Sequence, residues 1–298
     1  NIPLTVEAFQ LCEYVDWVEP NYIYTSSVIP SDTDYSSQWA LPMISAEVAW
    51  GIETGDPSVI IAIIDTGIDT NHTDLIDNLW TNPGETPANS IDDDNNNCTD
   101  DINGCDFALM SGNISDLNGH GTHCAGIAAA KSNNSLGISG LCWNCMLMAG
   151  KSALTVSEIG KAIDYSVNNG ARVISMSFGG STPSSLIDNV TSAYNSDIVV
   201  IAAAGNANNY IKEYPAAFDN VIGVAATEQT DARAPFSKYG DWMLDSGAWI
   251  DVAAPGQDIL STIPPNDYIS WSGTSMAAPL VAGLAGLIIS KNPSFTAE

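Results

Sequence analysis

Four polar residues stand where an acyl-transfer reaction could use them, in the order Asp65, His120, Asn206 and Ser275. Acyl transfer needs a nucleophile, a base that takes its proton, an acid that orients the base, and a donor for the developing oxyanion. Each residue also has a structural interpretation, because serine caps helices and asparagine is common in turns. The catalytic interpretation therefore depends on whether the fold brings the four together.

Two of these residues follow predicted strands. Asp65 comes directly after the apolar run of residues 59–64, which is typical of a strand buried on both faces of a parallel sheet. Asn206 follows a second such run at residues 198–204. Open α/β sheets place their sites at the carboxyl ends of strands, which is where Asp65 stands. Asn206 is typical of a turn, but it is also a good side-chain donor if it faces the helix at Ser275.

The other two residues begin predicted helices. His120 opens a helix rich in glycine and alanine, and Ser275 precedes an apolar helix in which Pro279 fits only the first turn. The unpaired N–H groups and the dipole at that terminus would stabilise an oxyanion. His123 lies three residues after His120, but the H-E-x-x-H frame is absent and a zinc site is disfavoured.

Strands and helices alternate along the rest of the chain. The predicted strands cover residues 146–149, 173–178, 198–204, 221–226 and 250–254, and the predicted helices cover residues 157–169 and 184–194. This alternation predicts an α/β fold with a doubly wound, mostly parallel sheet and helices on both faces. With 298 residues and 45% hydrophobic content, the chain can bury the core of one such domain and a smaller piece besides.

The charge balance is strongly acidic. The net charge is -27, and it arises from a shortage of basic residues, with 8 Lys and Arg against 35 Asp and Glu. Such a surface repels nucleic acid and anionic membranes, so neither is an expected partner, but it attracts cations such as Ca²⁺. The longest apolar stretches fall short of the roughly 18 residues of a membrane span.

The six cysteines and a polar loop give further hints. Cys98 and Cys105 bracket a short polar loop, and we favour a disulfide that would contribute about 2.5 kcal/mol on the chain-entropy model. Cys142 and Cys145 form a C-x-x-C that is compatible with a local bridge or with two free thiols. The stretch 78–118, which includes the acidic residues 92–101, is compatible with disorder or with Ca²⁺ binding. N-x-S/T sequons, which are compatible with a secretory route, occur at Asn71, Asn97, Asn113, Asn133 and Asn189.

Six segments resemble those of the subtilisin-like serine proteases, in family order: IIAIIDTGID, NGHGTHCAG, ISMSFGG, IAAAGNANN, VAAPG and SWSGTSMAAP. Cys124, close to His120, is similar to the cysteine of proteinase K-like members. The resemblance implies a subtilisin-like three-layer fold and a serine endopeptidase that acts on polypeptides. It also implies roles for the four residues: Asp65 orients His120, His120 is the base, Ser275 attacks, and Asn206 with the Ser275 N–H holds the oxyanion.

The resemblance also implies a substrate pocket and a structural Ca²⁺, with no redox or organic cofactor. Glu213 would lie on the floor of the pocket for the P1 side chain, where an acid could favour Lys or Arg. The walls of that pocket would be Ser177, Phe178, Gly179, Gly180, Ala203 and Gly205. The Ca²⁺ ligands would be the side chains of Gln38, Asp74 and Asn134 and the carbonyls of Ser132, Leu136 and Ile138.

Residues 1–30 resemble the end of an inhibitory propeptide plus a linker, so residues 31–298 would be the peptidase domain, truncated at its C-terminus. The resemblance implies a monomer, inhibited by its own propeptide and secreted or held in a vacuolar or lysosomal lumen. Residues 151–157 are shorter than the family's substrate-binding loop. That departure leaves one alternative of another class, a catalytically silent scaffold or binding protein with the same fold.

Overall fold

The computed structural model describes residues 6, 8–12, 14–19, 27–181, 184–240 and 249–298. Its centre is a seven-stranded parallel sheet in the order β2-β3-β1-β4-β5-β6-β7. The strands are β1 (Ile60–Asp65), β2 (Gly104–Asp106), β3 (Met146–Lys151), β4 (Val173–Met176), β5 (Val199–Ala203), β6 (Val221–Thr227) and β7 (Val252–Pro255). The predicted α/β class with a parallel sheet is confirmed.

Helices cover both faces of this sheet. They are α1 (Ala40–Met43), α2 (Ala46–Trp50), α3 (His120–Ala129), α4 (Val156–Asn168), α5 (Ile187–Asn195) and α6 (Thr274–Lys291). One core packs α3 and α6 against the sheet, and the other packs α4 and α5. Strand β1 contributes to both cores, with Ile61 and Ile63 on one face and Ala62 and Ile64 on the other, as its continuous apolar run predicts.

The sequence analysis missed three strands. Strand β2 forms the edge of the sheet within the stretch that was open to disorder, and the antiparallel pair β8 (Ile259–Ile263) and β9 (Asp267–Trp271) lies against α3. Strands of only three to five residues give no clear periodicity. The sequence pattern of residues 15–20 predicts a short strand within the predicted propeptide remnant, but the described residues 15–19 form none. Residues 1–5, 7, 13 and 20–26 of that remnant lie outside the described residues.

The cysteine pairing is settled by the structure. Cys98 and Cys105 form the favoured disulfide, and Cys142 and Cys145 also form one, which decides between the two alternatives for the C-x-x-C. Cys124 is a buried free thiol. The first disulfide joins Cys98 to Cys105 in strand β2. The second lies against α6, because a Cβ added at Gly286 would lie 2.8 Å from the sulfur of Cys145.

Helix α6 begins earlier than predicted. It starts at Thr274, which makes Pro279 its sixth residue instead of a residue of the first turn. Proline has no N–H, so the carbonyl of Ser275 lacks its helical donor. That carbonyl accepts instead from the Ser177 hydroxyl at 2.9 Å and the Cys124 thiol at 3.4 Å. The helix is long and apolar enough to cross a bilayer, but 61% of its 18 residues are buried inside the protein, as expected of a core helix.

Close packing of α6 on α3 generates a stability prediction at Gly283. A Cβ there would lie 2.7 Å from the carbonyl oxygen of Ala128 and 2.9 Å from Cβ of Leu141. Gly→Ala in a helix normally gains up to about 1 kcal/mol. We expect Gly283→Ala to reverse that sign and lose about 1–3 kcal/mol in urea unfolding, since neither neighbour can move cheaply.

The control is Gly160→Ala in α4. A Cβ there would lie 3.0 Å from Oδ1 of Asn189, the end of a side chain that can shift, and at an ordinary 3.5 Å from Cδ2 of Leu186. This variant should be neutral or slightly stabilised. Equal losses in the two variants would contradict the packing argument.

Candidate active site

A buried hydrogen bond joins the first two predicted residues. Asp65 ends β1 and is 1% exposed, and its Oδ1 accepts from Nδ1 of His120 at 2.7 Å. The same oxygen accepts from the backbone N–H of Thr66 at 2.8 Å. His120 is the first residue of α3, so the strand end and the helix start meet at the carboxyl edge of the sheet, as predicted.

The start of α3 is fixed by Asp116, which the sequence analysis did not single out. Its Oδ1 accepts from the N–H of Gly119 at 2.8 Å and from the hydroxyl of Thr66 at 3.0 Å. Its Oδ2 accepts from the N–H and hydroxyl of Thr122 at 2.9 and 2.7 Å. The position of an aspartate just ahead of a predicted helix was the signal that could have identified it. Asp116 therefore positions His120 without touching it.

The other two predicted residues meet at the start of α6. Oδ1 of Asn206 accepts from the N–H and the hydroxyl of Thr274 at 2.9 and 3.0 Å. The hydroxyl of Thr274 in turn accepts from the N–H of Gly205 at 2.9 Å. These bonds fix the amide of Asn206 by its oxygen and leave Nδ2 as the donor. The Ser275 hydroxyl donates to the carbonyl of Ser177 at 3.0 Å.

Cys124 links the two halves of the site. Its sulfur lies 3.9 Å from Nδ1 of His120 and 3.4 Å from the carbonyl oxygen of Ser275. Burial raises the pKa of this thiol above its ordinary value. The pKa of His120 is raised by any negative charge on Cys124 and by the hydrogen bond to Asp65, against the effect of burial. Cys124 and Thr274 therefore connect the four predicted residues at one edge of the sheet.

The predicted pocket walls lie in two segments of the chain, one after β4 and one at the end of β5. Residues 177–180 follow β4, and Gly180 pairs with Tyr214 through two backbone hydrogen bonds of 2.9 and 3.0 Å. Glu213 lies between the two walls, because a Cβ at Gly179 would be 2.6 Å from its Cγ and a Cβ at Gly205 would be 2.2 Å from its Oε2. Ala203 is buried at the end of β5, and Phe178 packs on the core formed with α4 and α5.

Glu213 forms an ion pair with Lys238. Nζ of Lys238 lies 2.5 Å from its Oε2 and also donates to the carbonyl of Ile211 at 3.0 Å. The lysine side chain is 7% exposed. The charge of the predicted pocket floor is therefore neutralised by a buried partner that the sequence analysis did not identify.

Five of the six predicted Ca²⁺ ligands belong to Asp74 and to the loop that follows α3. Asp74 is fully buried, and its oxygens accept from Nδ2 of Asn134 at 3.0 Å, from the N–H of Ile138 at 2.9 Å and from the hydroxyl of Tyr268 at 3.0 Å. The carbonyls of Ser132, Leu136 and Ile138 accept no hydrogen bond from a described residue. An acidic oxygen and free carbonyls of this kind fit Ca²⁺.

Gln38 lies next to this set, because it bonds the residue that follows Ile138. Its amide makes two hydrogen bonds of 2.8 and 2.7 Å with the backbone of Ser139, and none with Asp74. Asp32, which was not predicted, is buried and accepts from the N–H groups of Asn133 and Asn134, both at 2.9 Å. No feature of the linker sequence distinguished Asp32 from its neighbours.

Burial of His123 generates a pH prediction. The ring is fully buried, stacks on Trp271 at 4.7 Å between centroids and contacts the carbonyl of Ile269 at 3.0 Å. Desolvation lowers its pKa from 6.5 to about 4. The unfolded chain takes up this proton below about pH 6.5 and the folded chain only below about pH 4, so stability falls as the pH falls through that window. The measurement is urea unfolding at several pH values on the parent and on His123→Gln.

We expect the difference in unfolding free energy between parent and His123→Gln to shrink from pH 7 towards pH 4. Carboxylates titrate in both proteins, so subtraction removes their contribution. A difference that does not vary with pH would contradict the burial argument.

Comparisons with known proteins agree with this geometry. The Subtilase family matches residues 56–298. Thermophilic serine proteinase of Bacillus sp. (strain AK1) is 38% identical over 298 residues, which cover 98% of this chain and 67% of that protein. Thermitase of Thermoactinomyces vulgaris is 40% identical over 272 residues, which cover 89% of this chain and 87% of that protein. Halolysin-like extracellular serine protease Nep of Natrialba magadii is 33% identical over 288 residues, which cover 95% of this chain and 49% of that protein. The chain therefore belongs to the subtilase family and is a subtilisin-like serine endopeptidase.

Proposed function

We propose that Ser275 attacks the scissile carbonyl of a polypeptide, with His120 as general base and then general acid and with Asp65 orienting His120. The observation that carries the proposal is the 2.7 Å hydrogen bond from Nδ1 of His120 to the buried carboxylate of Asp65, beside the start of α6. That bond leaves Nε2 of His120 as the nitrogen that takes the serine proton. The Ser275 hydroxyl donates to Ser177 here, and rotation of its side chain would redirect it, since such catalytic bonds often tighten only with substrate.

The oxyanion would be held by Nδ2 of Asn206 and the backbone N–H of Ser275. The two hydrogen bonds that Thr274 donates to Oδ1 of Asn206 support this role, because they fix the direction of the amide before substrate arrives. Ser275 is the second residue of α6, so its N–H has no acceptor within the helix. The helix dipole adds a favourable field at the same point.

For the P1 side chain, the ion pair between Glu213 and Lys238 leads to a different proposal from the one made on sequence alone. Glu213 fills the space between Gly179 and Gly205, and Lys238 cancels its charge. We therefore propose a short, neutral pocket that favours small uncharged P1 residues over Lys or Arg.

A structural Ca²⁺ is proposed at the loop that follows α3. Asp74 and Asn134, with the free carbonyls of Ser132, Leu136 and Ile138, would hold it, and buried Asp32 is the added acidic candidate. Gln38 is the weakest member of the predicted set, since both ends of its amide are already paired. The ion would tie the linker, the turn at Asp74 and this loop together.

The location proposed for the protein is outside the reducing cytosol. Two disulfides support it, because such bonds persist in oxidising compartments. The five sequons and the word "extracellular" in the name of one relative point the same way. We also keep the proposal that residues 1–30, which precede the family match, are the end of an inhibitory propeptide.

The nucleophile is tested by covalent labelling with a fluorophosphonate probe, read by gel fluorescence. We expect Ser275→Ala to lose labelling completely, because the probe bonds to the activated serine oxygen. The control is Ser272→Ala, which removes an exposed hydroxyl three residues away that bonds Asp258, and it should label like the parent. Labelling that persists in Ser275→Ala would assign another nucleophile, and a folded parent that never labels would favour the silent scaffold.

The pocket is tested by kcat/KM on matched peptides with Ala or Arg at P1. We expect the parent to favour Ala, and Lys238→Met to raise the Arg to Ala ratio by roughly tenfold or more, because Glu213 is then an unpaired acid in the pocket. The control, Lys238→Met with Glu213→Gln, should lose that gain. A parent that already prefers Arg would contradict the neutral pocket.

A further inference from the structure

Residues 82–101 form an acidic loop with six Asp and Glu and no Lys or Arg. The loop joins the region of Trp80 to strand β2 at the sheet edge. It is anchored at its start by the N–H of Asn82, which donates to the carbonyl of Ile102 at 2.8 Å. The Cys98–Cys105 disulfide anchors its end. None of this loop takes part in the proposed catalytic site.

Three carboxylates of the acidic loop converge. Glu85, Asp92 and Asp94 each present an oxygen, and these oxygens all lie within 4.8 Å of one another. The ion pairs among the described residues use Asp65, Asp106 and Glu213 as their acids, so none of them neutralises this cluster. Like charges at this spacing repel, and no Lys, Arg or His among the described residues pairs with them to offset the repulsion.

A fourth carboxylate, Asp101, is linked to Asp94 of the cluster by two amide side chains. Nδ2 of Asn82 donates to Asp94 at 3.0 Å and to Asp101 at 3.2 Å, and Nδ2 of Asn96 donates to the same two oxygens at 3.0 and 2.9 Å. Two amides therefore hold the two carboxylates side by side. The Tyr165 hydroxyl donates to the same oxygen of Asp101.

Two buried oxygens in this arrangement have no hydrogen-bond donor among the described residues. Glu85 is 9% exposed; its Oε1 accepts from the N–H of Asp93 at 2.7 Å, whereas Oε2 accepts nothing. Asp101 is 0% exposed, and its Oδ1 also accepts nothing. Buried acceptors are nearly always satisfied, so two in one acidic cluster point to a bound group outside the chain.

We propose that Glu85, Asp92 and Asp94 bind one Ca²⁺, backed by Asp101 and distinct from the ion proposed at Asp74. An all-oxygen set excludes the soft ligands that Zn²⁺ favours, and a loop with several carboxylates and amides suits the large coordination shell of Ca²⁺. The ion replaces the missing cation and satisfies the free oxygen of Glu85. It fastens the acidic loop to the edge of the sheet.

The test counts bound Ca²⁺ by native mass spectrometry, after EGTA treatment and return to Ca²⁺. All proteins carry Ser275→Ala to prevent self-digestion and Asp74→Asn to remove the other proposed site, and near-UV circular dichroism checks their folding. We expect one bound ion in this background and none after Glu85→Gln with Asp94→Asn. Asp93→Asn is the matched control, because it removes a charge from the same turn outside the cluster and should keep the ion.

An ion retained by the Glu85→Gln, Asp94→Asn protein would overturn the proposal, as would equal loss in Asp93→Asn. If the double variant does not fold, Tb³⁺ replaces Ca²⁺ on the background protein, with excitation of Trp80 and Tyr165, whose rings lie 6.4 Å apart near the cluster. Sensitised emission that Ca²⁺ displaces supports the site, and its absence overturns it. The readout is metal binding, so it does not depend on whether Ser275 is the nucleophile.

Discussion

The hydrogen bond between Asp65 and His120 is the interaction on which the rest of the site depends. A carboxylate that is almost fully buried is costly unless hydrogen bonds satisfy it. The end of β1 supplies the carboxylate, and the start of α3 supplies the imidazole. Every contact that positions α3 therefore also positions His120. Asp116 fixes the first turn of this helix, and Trp271 from the hairpin stacks on His123 one turn later.

A second constraint comes from Pro279. Its missing N–H frees the carbonyl of Ser275, which then receives the Ser177 hydroxyl and the Cys124 thiol. The missing helical hydrogen bond in α6 thus lets the backbone of the proposed nucleophile bond Ser177, just after β4, and Cys124 of α3. The start of this helix is held at the sheet edge by side chains, with Thr274 and Asn206 adding a further pair of bonds.

The acid surplus shapes the structure in two ways. At Asp32, Asp74 and Asp116, buried carboxylates are satisfied by backbone N–H groups, amides and hydroxyls, without any basic side chain. Glu213 is an exception, because it pairs with Lys238, one of only eight basic residues, in the predicted substrate pocket. Where neither solution is present, as at Glu85, the chain leaves an oxygen for a cation from solution.

The sequence by itself determined the fold class and the placement of the four polar residues at strand ends and helix starts. Continuous apolar strands such as β1 are recognisable locally, and the carboxyl ends of parallel strands share one edge. It also identified Cys98–Cys105, since a short polar loop between cysteines is local information. The tertiary structure alone decided the contacts between residues far apart in the chain. Lys238 with Glu213, Asp116 with Thr66, and the early start of α6 depend on packing and on side-chain direction, which periodicity does not encode. The contact of Asp32 with the N–H of Asn134 joins residues about a hundred positions apart, so only the folded chain shows it.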